Sequence, residues 1–443
     1  MNTRPAIEGP PTRTTLSASF NSDSTCFVVG LTYGYAVFMS RDCVMRTTSD
    51  LRSGVGIASM RGVSNVIGLV GGGQPARWAP NKLILWNVQA NKVYLEISTL
   101  LPIRGVQMSM ERTIVVLKNS VRVYKFDKKP DLITSYETAD NILGLAELSV
   151  SGDMLAFPGR TPGQVQLVNF ATDTVRIIPA HSSTLAAIRF SPDGRLVATA
   201  SEKGTLIRVF STATGGRVIE LRRGLDPAKV FSLRFNPAGT MLACTSDKGT
   251  LHLYDIPASK SGTDNNFGVS SAQTAVNTPG VGFSDSDVIV KSPTTKVGNA
   301  ANGESSSTSN SSTRWGILGQ LPLMPRYFRD VTSFAQITFA SVDDSPMPTT
   351  SATSPVSNTE DLVGVSRRIG SSRNGQPLSS SKDNDYSINI KPNKGEIGWP
   401  TEDEIIVIGA GHDARWERFQ LVQEQTGERN LVRSGWKRFM TQI

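Results

Sequence analysis

Short apolar runs bounded by turn residues recur along most of the chain. The clearest runs are four or five residues long, and Gly, Asn, Asp or Pro stands at most of their ends, which is typical of β-strands. No long segment carries a sustained apolar period of 3.6 residues, so the pattern predicts an all-β fold. The runs are Val66–Val70, Leu83–Trp86, Ile114–Leu117, Val165–Val168 and Ile405–Ile408.

The predicted strands repeat with a period of 40–45 residues. The segment IRFSPDGRLVATASEKGTL at 188–206 aligns with LRFNPAGTMLACTSDKGTL at 233–251, and weaker copies lie at 145–159 and 19–30. A period of this length with about four strands per unit is the signature of a WD-type β-propeller. The foldable residues suffice for seven blades, which are expected to begin near residues 14, 62, 103, 142, 184, 228 and 331.

Two long stretches have too little apolar surface to fold. Ser, Thr, Asn, Gly and Lys dominate one of them, and Ser, Pro, Asn and Thr dominate the other. Burying so few apolar side chains does not offset the entropy of ordering the chain, so both should be disordered. The sequence predicts a disordered tail (1–13), propeller blades one to six, first part (14–257), a disordered loop in blade six (258–312), the end of blade six and start of blade seven (313–340), a disordered insertion in blade seven (341–399) and the rest of blade seven (400–443).

Charge and composition narrow the class of partner. The net charge of +8 and the pI near 9.4 favour an anionic partner: a nucleic acid, a membrane surface or an acidic protein. Three scattered cysteines are too few for a disulfide framework and are expected to be buried small residues in a reducing compartment. No signal-peptide h-region and no run of roughly 18 apolar residues is found, so any membrane contact should be peripheral.

The strongest candidate for binding chemistry is the segment Leu221-Arg222-Arg223-Gly224, between the two best-matched repeats. Side chains alternate along a strand, so one arginine should face blade five and the other blade six. Gly224 is expected to let the backbone turn where a Cβ would clash. Guanidinium groups make paired bonds to phosphate, and both flanking repeats bring a His and several hydroxyls. These are the donors that a phosphorylated sugar alcohol needs.

Each of these residues also has a purely structural interpretation. In WD-type blades a His before the first strand and a Ser or Thr in the second strand often form an internal hydrogen-bond network that holds the blade. An isolated Arg-Arg pair is usually a solvated surface. The coincidence of all these residues around one dipeptide favours ligand binding over either interpretation.

The motifs resemble those of the PROPPIN family, the phosphoinositide-binding β-propellers of autophagy, which are called WIPI proteins in animals. The family hallmark is Phe or Leu followed by Arg-Arg-Gly, and LRRG at 221–224 matches it. VGGGQPARWAPNKLILWN at 70–87 looks like the family's Gly-rich blade-two segment. TASEKGTLIRVF at 199–210 and TSDKGTLHLYD at 245–255 match its two hydroxyl-bearing strands. Within the family, the chain looks most like the fungal Hsv group.

The resemblance implies two sites on one rim for the head groups of phosphatidylinositol 3-phosphate and the 3,5-bisphosphate. GTLIRVF has one residue more than GTLHLYD between its Thr and the matched apolar pair, so the cation in the first strand and the His in the second are not expected to be strictly equivalent. Replacing both arginines with Thr should abolish lipid binding and leave thermal stability nearly unchanged. Site one is expected to comprise His181, Thr199, Ser201, Thr205, Arg208 and Arg222; site two is expected to comprise Arg223, Thr245, Ser246, Lys248, Thr250 and His252.

The resemblance also implies a membrane-penetrating loop within blade six. In this chain the end of that insertion is apolar, and Trp315, Ile317 and Leu318 are the expected inserting residues. The alternative is that Leu321–Phe328 forms the fourth strand of blade six. The implied protein is a cytoplasmic monomer in solution that binds pre-autophagosomal, endosomal or vacuolar membranes peripherally. Its implied partner is the bridge-like lipid-transfer protein of autophagy, contacted by blades two and three near residues 20–23 and 80–82.

No enzyme motif, cofactor or metal site is predicted. The glycines at 71–73 lack the Lys-Ser/Thr of a phosphate-binding loop, and neither His-x-x-x-His nor Gly-x-Ser-x-Gly occurs. Basic residues are not interleaved with aromatic ones as nucleic-acid stacking requires, so no nucleic acid is expected. The main alternative to lipid binding is a WD-type protein-interaction scaffold.

Overall fold

The computed structural model describes residues 14–257, 331–339, 394–411 and 413–442. These residues form seven sheets of four antiparallel strands each, and one sheet gains a short fifth strand that pairs in parallel. The first strand of each sheet contacts the first strands of both neighbouring sheets, and the last sheet in the chain contacts the first. The prediction of an all-β, seven-bladed propeller is therefore confirmed.

The first four blades follow the chain without long connections. Blade one holds β1 (Thr15–Phe20), β2 (Cys26–Leu31), β3 (Gly34–Met39) and β4 (Met45–Asp50); blade two holds β5 (Val55–Met60), β6 (Val66–Gly71), β7 (Lys82–Asn87) and β8 (Lys92–Ser98); blade three holds β9 (Gly105–Met108), β10 (Arg112–Val116), β11 (Ser120–Lys125) and β12 (Leu132–Glu137); blade four holds β13 (Glu147–Leu148), β14 (Met154–Pro158), β15 (Gln164–Asn169) and β16 (Thr174–Pro179).

The last three blades contain the long connections. Blade five holds β17 (Leu185–Phe190), β18 (Leu196–Ser201), β19 (Leu206–Ser211) and β20 (Arg217–Arg222), with the short β24 (Val331–Thr332) parallel to β20 at its edge; blade six holds β21 (Val230–Phe235), β22 (Met241–Ser246), β23 (Thr250–Asp255) and β25 (Ala335–Thr338); blade seven holds β26 (Glu396–Gly398), β27 (Glu404–Ile408), β28 (Arg415–Gln423) and β29 (Arg429–Arg438), followed by a 3-10 helix (Phe439–Gln442).

The burial pattern follows from the position of each strand in its blade. Every residue of β2, β18 and β22 is buried, because neighbouring blades cover both faces of a central strand. The outer strand β4 alternates between half-buried and exposed residues, because solvent covers one of its faces. The core therefore consists of layers between adjacent blades, and the residues that line each layer are set by strand alternation.

Packing between blades seven and one closes the ring. Blade seven is built entirely from strands near the C-terminus, so blade one and blade seven do not exchange a strand. The indole Nε1 of Trp416 donates to the carbonyl of Ser40 at 2.7 Å. The ring of Phe439 lies 5.6 Å from that of Phe27 and 5.3 Å from that of Phe38, measured between centroids. These contacts join the two ends of the described chain.

Three predicted boundaries were wrong. Blade two begins at Val55 and not near residue 62. The first strand of blade seven is Glu396–Gly398, inside the predicted insertion 341–399, and the segment Ala335–Thr338 is the fourth strand of blade six and not the start of blade seven. The second long insertion therefore connects blade six to blade seven. A strand of three residues between turn-rich segments carries too little apolar periodicity to be recognised in a sequence.

Most of the two predicted insertions and the tail 1–13 lie outside the described residues. The fourth-strand position suggested for Leu321–Phe328 is occupied by Ala335–Thr338. Within the described ranges, no helix is long and apolar enough to cross a bilayer. All three cysteines are buried, as the sequence indicated, and none of them forms a disulfide.

Candidate functional site

The two arginines of the LRRG segment face opposite sides of blade five. Leu221 packs in the apolar layer shared with blade six, so Arg222, the next residue of the strand, lies on the face turned toward blade four. Arg223 follows the strand, and its backbone N–H donates to the carbonyl of Thr205 at 2.9 Å. Its guanidinium contributes to the electrostatic environment of His252 in blade six. The dipeptide thus presents one cation to each side of the blade.

On the blade-four side, a chain of hydrogen bonds joins three of the predicted site-one residues. The Nε2 of His181 lies 2.9 Å from the Oγ1 of Thr199, and Thr199 in turn donates to the carbonyl of Arg208 at 3.2 Å. The guanidinium of Arg208 donates from Nη1 to the carbonyl of Ala180 at 2.6 Å, which fixes the chain just before His181. The structure brings these three residues together on the face that also carries Arg222.

The sequence analysis missed an acidic residue in site one. The carboxylate of Glu220 accepts from Nε of Arg208 at 2.7 Å and from Nη1 of Arg217 at 2.8 Å. Glu220 stands two positions before Arg222 and therefore on the same strand face, which is a signal that the sequence did contain. Burial, and then the charge of Arg208, lower the pKa of His181 to about 4. The imidazole is therefore neutral at pH 7, and the positive charge of the site comes from its arginines.

On the blade-six side, His252 is held from both of its ring nitrogens. Its Nε2 lies 2.9 Å from the Oγ1 of Thr250, and its Nδ1 lies 3.2 Å from the Oγ of Ser333. Burial, and then the charge of Arg223, lower the pKa of His252 to about 4. Ser333 was not foreseen, because it lies 81 residues further along the chain. The Oγ of Ser246, on the same face of blade six, is buried and has no hydrogen-bond partner among the described residues.

Two of the predicted site-two residues lie elsewhere. Thr245 faces blade seven, and its Oγ1 donates to the carbonyl of Gly395 at 2.5 Å. Strand alternation explains this placement, since Cys244 and Ser246 occupy the face toward blade five. Lys248 is exposed in the turn between β22 and β23. Neither residue joins the hydrogen bonds around His252.

The predicted difference between Arg208 and His252 was wrong. Arg208 pairs with Thr199 across blade five, and His252 pairs with Cys244 at the same register in blade six. The extra residue of the first repeat is absorbed in the turn between β18 and β19, which the strand register leaves free to vary. The two positions are equivalent in the fold and carry different side chains.

Arg223 also has a structural role. Only 9% of the residue is exposed, and its Nε donates to the carbonyl of Gly204 at 2.7 Å while Nη2 donates to the carbonyl of Asp226. Gly204 adopts a φ of +59°, and a Cβ there would lie 1.7 Å from the carbonyl oxygen of Ala228. The expectation for Gly224 was wrong, because a Cβ at that position meets nothing within 4 Å. It is Gly204, and not Gly224, where the close approach of another backbone segment requires a glycine.

Of the remaining predicted residues, two lie near the LRRG segment in blade five and three lie outside the described residues. Ser201 is buried at the end of β18, and its carbonyl accepts from the N–H of Gly204 at 2.9 Å. Thr205 is half-buried beside Arg223. Trp315, Ile317 and Leu318 lie outside the described residues. In the part of the chain that the structure describes, no group of His, Cys, Asp and Glu side chains is arranged to hold a metal ion.

Comparison with known proteins assigns the chain to a family. A family model described as PROPPIN matches residues 15–271. SVP1-like protein 2 of Neurospora crassa is 42% identical over 99% of both chains. Hsv2 of Kluyvelomyces marxianus superposes with a TM-score of 0.63 at 18% identity, covering 97% of this chain and 99% of that one. A complex of KlAtg21 with the coiled-coil of AgAtg16 superposes with a TM-score of 0.58 at 17% identity, covering 96% and 99%. This protein is a member of the PROPPIN family.

Proposed function

We propose that this protein binds phosphoinositides through two head-group sites, one on each side of the LRRG segment, and docks peripherally on membranes. The observation that carries the proposal is the division of the arginine pair between two similar clusters. Arg222 faces the cluster of His181 and Thr199, and Arg223 faces the cluster of His252 and Thr250. Each cluster combines a guanidinium, an imidazole and a hydroxyl, which together supply donors for a phosphate and the neighbouring sugar hydroxyls.

The charges within the two clusters support an anionic ligand. Both histidines have lowered pKa values and are neutral at pH 7, so the positive charge that an anionic ligand meets in each cluster comes from the arginines. The buried Oγ of Ser246 has no partner among the described residues, and a ligand oxygen would provide one. The ligands we propose are phosphatidylinositol 3-phosphate and the 3,5-bisphosphate.

The place of the blade-six insertion supports a membrane role for that segment. Residues 258–330 join β23 to β24, and β24 runs parallel to Leu221 and Arg222. Ser333, just after β24, contacts His252. The insertion therefore re-enters the fold beside the arginine pair. We propose that Trp315, Ile317 and Leu318 enter the bilayer there while the two sites hold head groups.

Two head groups and an inserting segment act on the same membrane, so each contact raises the effective concentration of the others. Weak single sites thus suffice for stable docking. The role we assign to this docking is recruitment of autophagy machinery to pre-autophagosomal, endosomal or vacuolar membranes. The protein partner we propose is the bridge-like lipid-transfer protein of autophagy, bound by blades two and three; the coiled-coil complex of a related fold is consistent with a propeller of this shape binding proteins.

Liposome flotation across a phosphoinositide panel tests the proposal. Wild-type protein should float with liposomes that contain phosphatidylinositol 3-phosphate, and the Arg222→Thr variant should float poorly. Arg195→Thr is a matched control, because Arg195 is an exposed arginine in the turn between β17 and β18 of the same blade. Equal flotation of a folded Arg222→Thr, Arg223→Thr double variant and the wild type would contradict lipid binding and favour the protein-interaction scaffold.

Calorimetry with a soluble head group tests the number of sites. Wild type should bind inositol 1,3-bisphosphate at two sites that depend on the arginine pair, and Arg222→Thr should lose one of these two sites. Exchanging Trp315, Ile317 and Leu318 for Ser should weaken flotation and leave head-group binding unchanged. A wild-type stoichiometry of one head group would contradict the two-site proposal.

A further inference from the structure

A cavity of about 500 Å³, which we call the central channel, is lined mainly by the first strands of the blades. The charged side chains of this lining do not balance. Among the residues described there, four cations face two carboxylates, and the excess is therefore positive. The cations are Arg104, Arg189, Lys229 and Arg234, and the carboxylates are Glu147 and Glu396. None of these residues belongs to the two sites at the LRRG segment.

Arg189 forms ion pairs with both carboxylates of the channel. Its Nη1 donates to Glu147 at 2.7 Å, and its Nη2 donates to Glu396 at 3.2 Å. Its Nε donates to the carbonyl of Leu233, at 3.0 Å, on the first strand of blade six. Each of the three nitrogens of this guanidinium thus donates a hydrogen bond, and both carboxylates of the channel form ion pairs with Arg189.

Arg234 stands at the equivalent position of the next blade and lacks such partners. Its Nη2 donates to the carbonyl of Ser22 at 3.0 Å and to the Oγ of Ser24 at 2.6 Å, and both acceptors are neutral. No carboxylate of the described chain forms an ion pair with it. Burial, and then the charge of Arg189, lower its pKa to about 10, and three carboxylates further away only partly oppose this shift. The guanidinium is therefore a half-buried cation beside another cation, a position in which an added anion is stabilised.

The rest of the lining favours entry of an anion. Arg104 precedes β9 and Lys229 precedes β21, so both stand near the end of the channel opposite Arg234, which lies near the end of β21. Cationic groups along a low-dielectric wall focus the field and raise the local concentration of anions. A cavity of about 500 Å³ is also within the usual range for small-molecule sites.

We propose that the central channel binds a small soluble polyphosphate, with Arg234 as its principal ligand and Arg189 beside it. A guanidinium matches phosphate oxygens bidentately, and two linked phosphates carry enough charge to offset the excess of the lining. The site lies inside the ring of first strands, so a free polyphosphate fits it and a head group tethered to a bilayer does not. The proposal is independent of lipid binding at the LRRG segment.

Equilibrium dialysis of the full chain with radiolabelled pyrophosphate tests the inference. Wild type and Arg222→Thr should both retain a channel-binding event, and Arg234→Gln should lose it, with affinity falling about tenfold or more. The Glu396→Gln variant removes one negative charge from the lining and should bind pyrophosphate several-fold more tightly, a gain that misfolding does not mimic.

Three outcomes would overturn the inference. Arg234→Gln that binds as many pyrophosphate molecules as wild type, with equal affinity, places the anion elsewhere. Binding that disappears entirely in Arg222→Thr places it at the LRRG segment. Absence of any binding to wild type at millimolar pyrophosphate removes the site altogether. Flotation with lipid is measured separately, so its failure leaves this test intact.

Discussion

Arg223 should contribute to stability as well as to ligand binding, which changes the expectation drawn from the sequence. Its guanidinium is almost wholly buried and donates to the carbonyls of Gly204 and Asp226. These bonds join the turn after β18 to the segment that links blades five and six. Replacing Arg223 with Ala leaves the carbonyl of Gly204 without this donor in a buried place. The double variant with Thr should therefore lose stability as well as lipid binding.

The magnitude follows from the two bonds. A hydrogen bond to a charged group contributes about 1.5–3 kcal/mol, and the bond to Gly204 should contribute in this range. The bond to Asp226 counts for less, because Asp226 is exposed and water can replace the donor. We expect Arg223→Ala to lower the free energy of unfolding by about 2–3 kcal/mol. At about 2 °C per kcal/mol for a domain of this size, Tm should fall by about 4–6 °C.

Thermal and urea unfolding of three variants measure the effect. Arg223→Lys keeps the charge but cannot make the same forked pair of bonds, so it should be destabilised nearly as much as Arg223→Ala. Arg222→Ala, at a half-buried position, should be destabilised less. If Arg223→Ala unfolds within about 1 °C of wild type, the turn does not depend on the guanidinium and the reasoning is refuted.

Three further predictions concern charge and closure. Glu220→Gln should tighten head-group binding at site one about three- to tenfold in calorimetry, because it removes a carboxylate that repels phosphate and occupies Arg208; unchanged affinity would contradict this. The free energy of unfolding should fall as pH drops from 6.5 toward 4, because the histidines of the unfolded chain bind protons in this range and the folded ones, with pKa near 4, do not. His252 should account for about 2 kcal/mol of this loss at pH 5. Urea unfolding of the His252→Asn variant should therefore show a correspondingly flatter dependence on pH. Phe439→Ala should cost about 3–5 kcal/mol in urea unfolding, since the side chain is wholly buried where the ring closes, and a cost below about 1 kcal/mol would show that the C-terminal segment does not secure it.

The local sequence pattern predicted which types of side chain the candidate site contains. Tertiary contacts decided which individual residues belong to it. Alternation along β20 was enough to separate Arg222 from Arg223, because neighbouring strand residues point to opposite faces. The same rule, applied to β22, would have removed Thr245 from site two, since Cys244 and Ser246 face blade five. Ser333 could not be foreseen, because its contact with His252 depends on where the blade-six insertion re-enters the sheet.

The sequence by itself determined the class of fold. Repeats of 45 residues with short apolar runs require sheets of about four strands, and such sheets bury their faces by stacking as blades. Sequence alone could not decide how the ring closes, because β26 has only three residues and its identity depends on pairing with β27 and packing against β1. Nor could it show that Arg189 holds both channel carboxylates while Arg234 holds neither. Those pairings join residues up to 207 positions apart, and only the closed ring brings them within bonding distance.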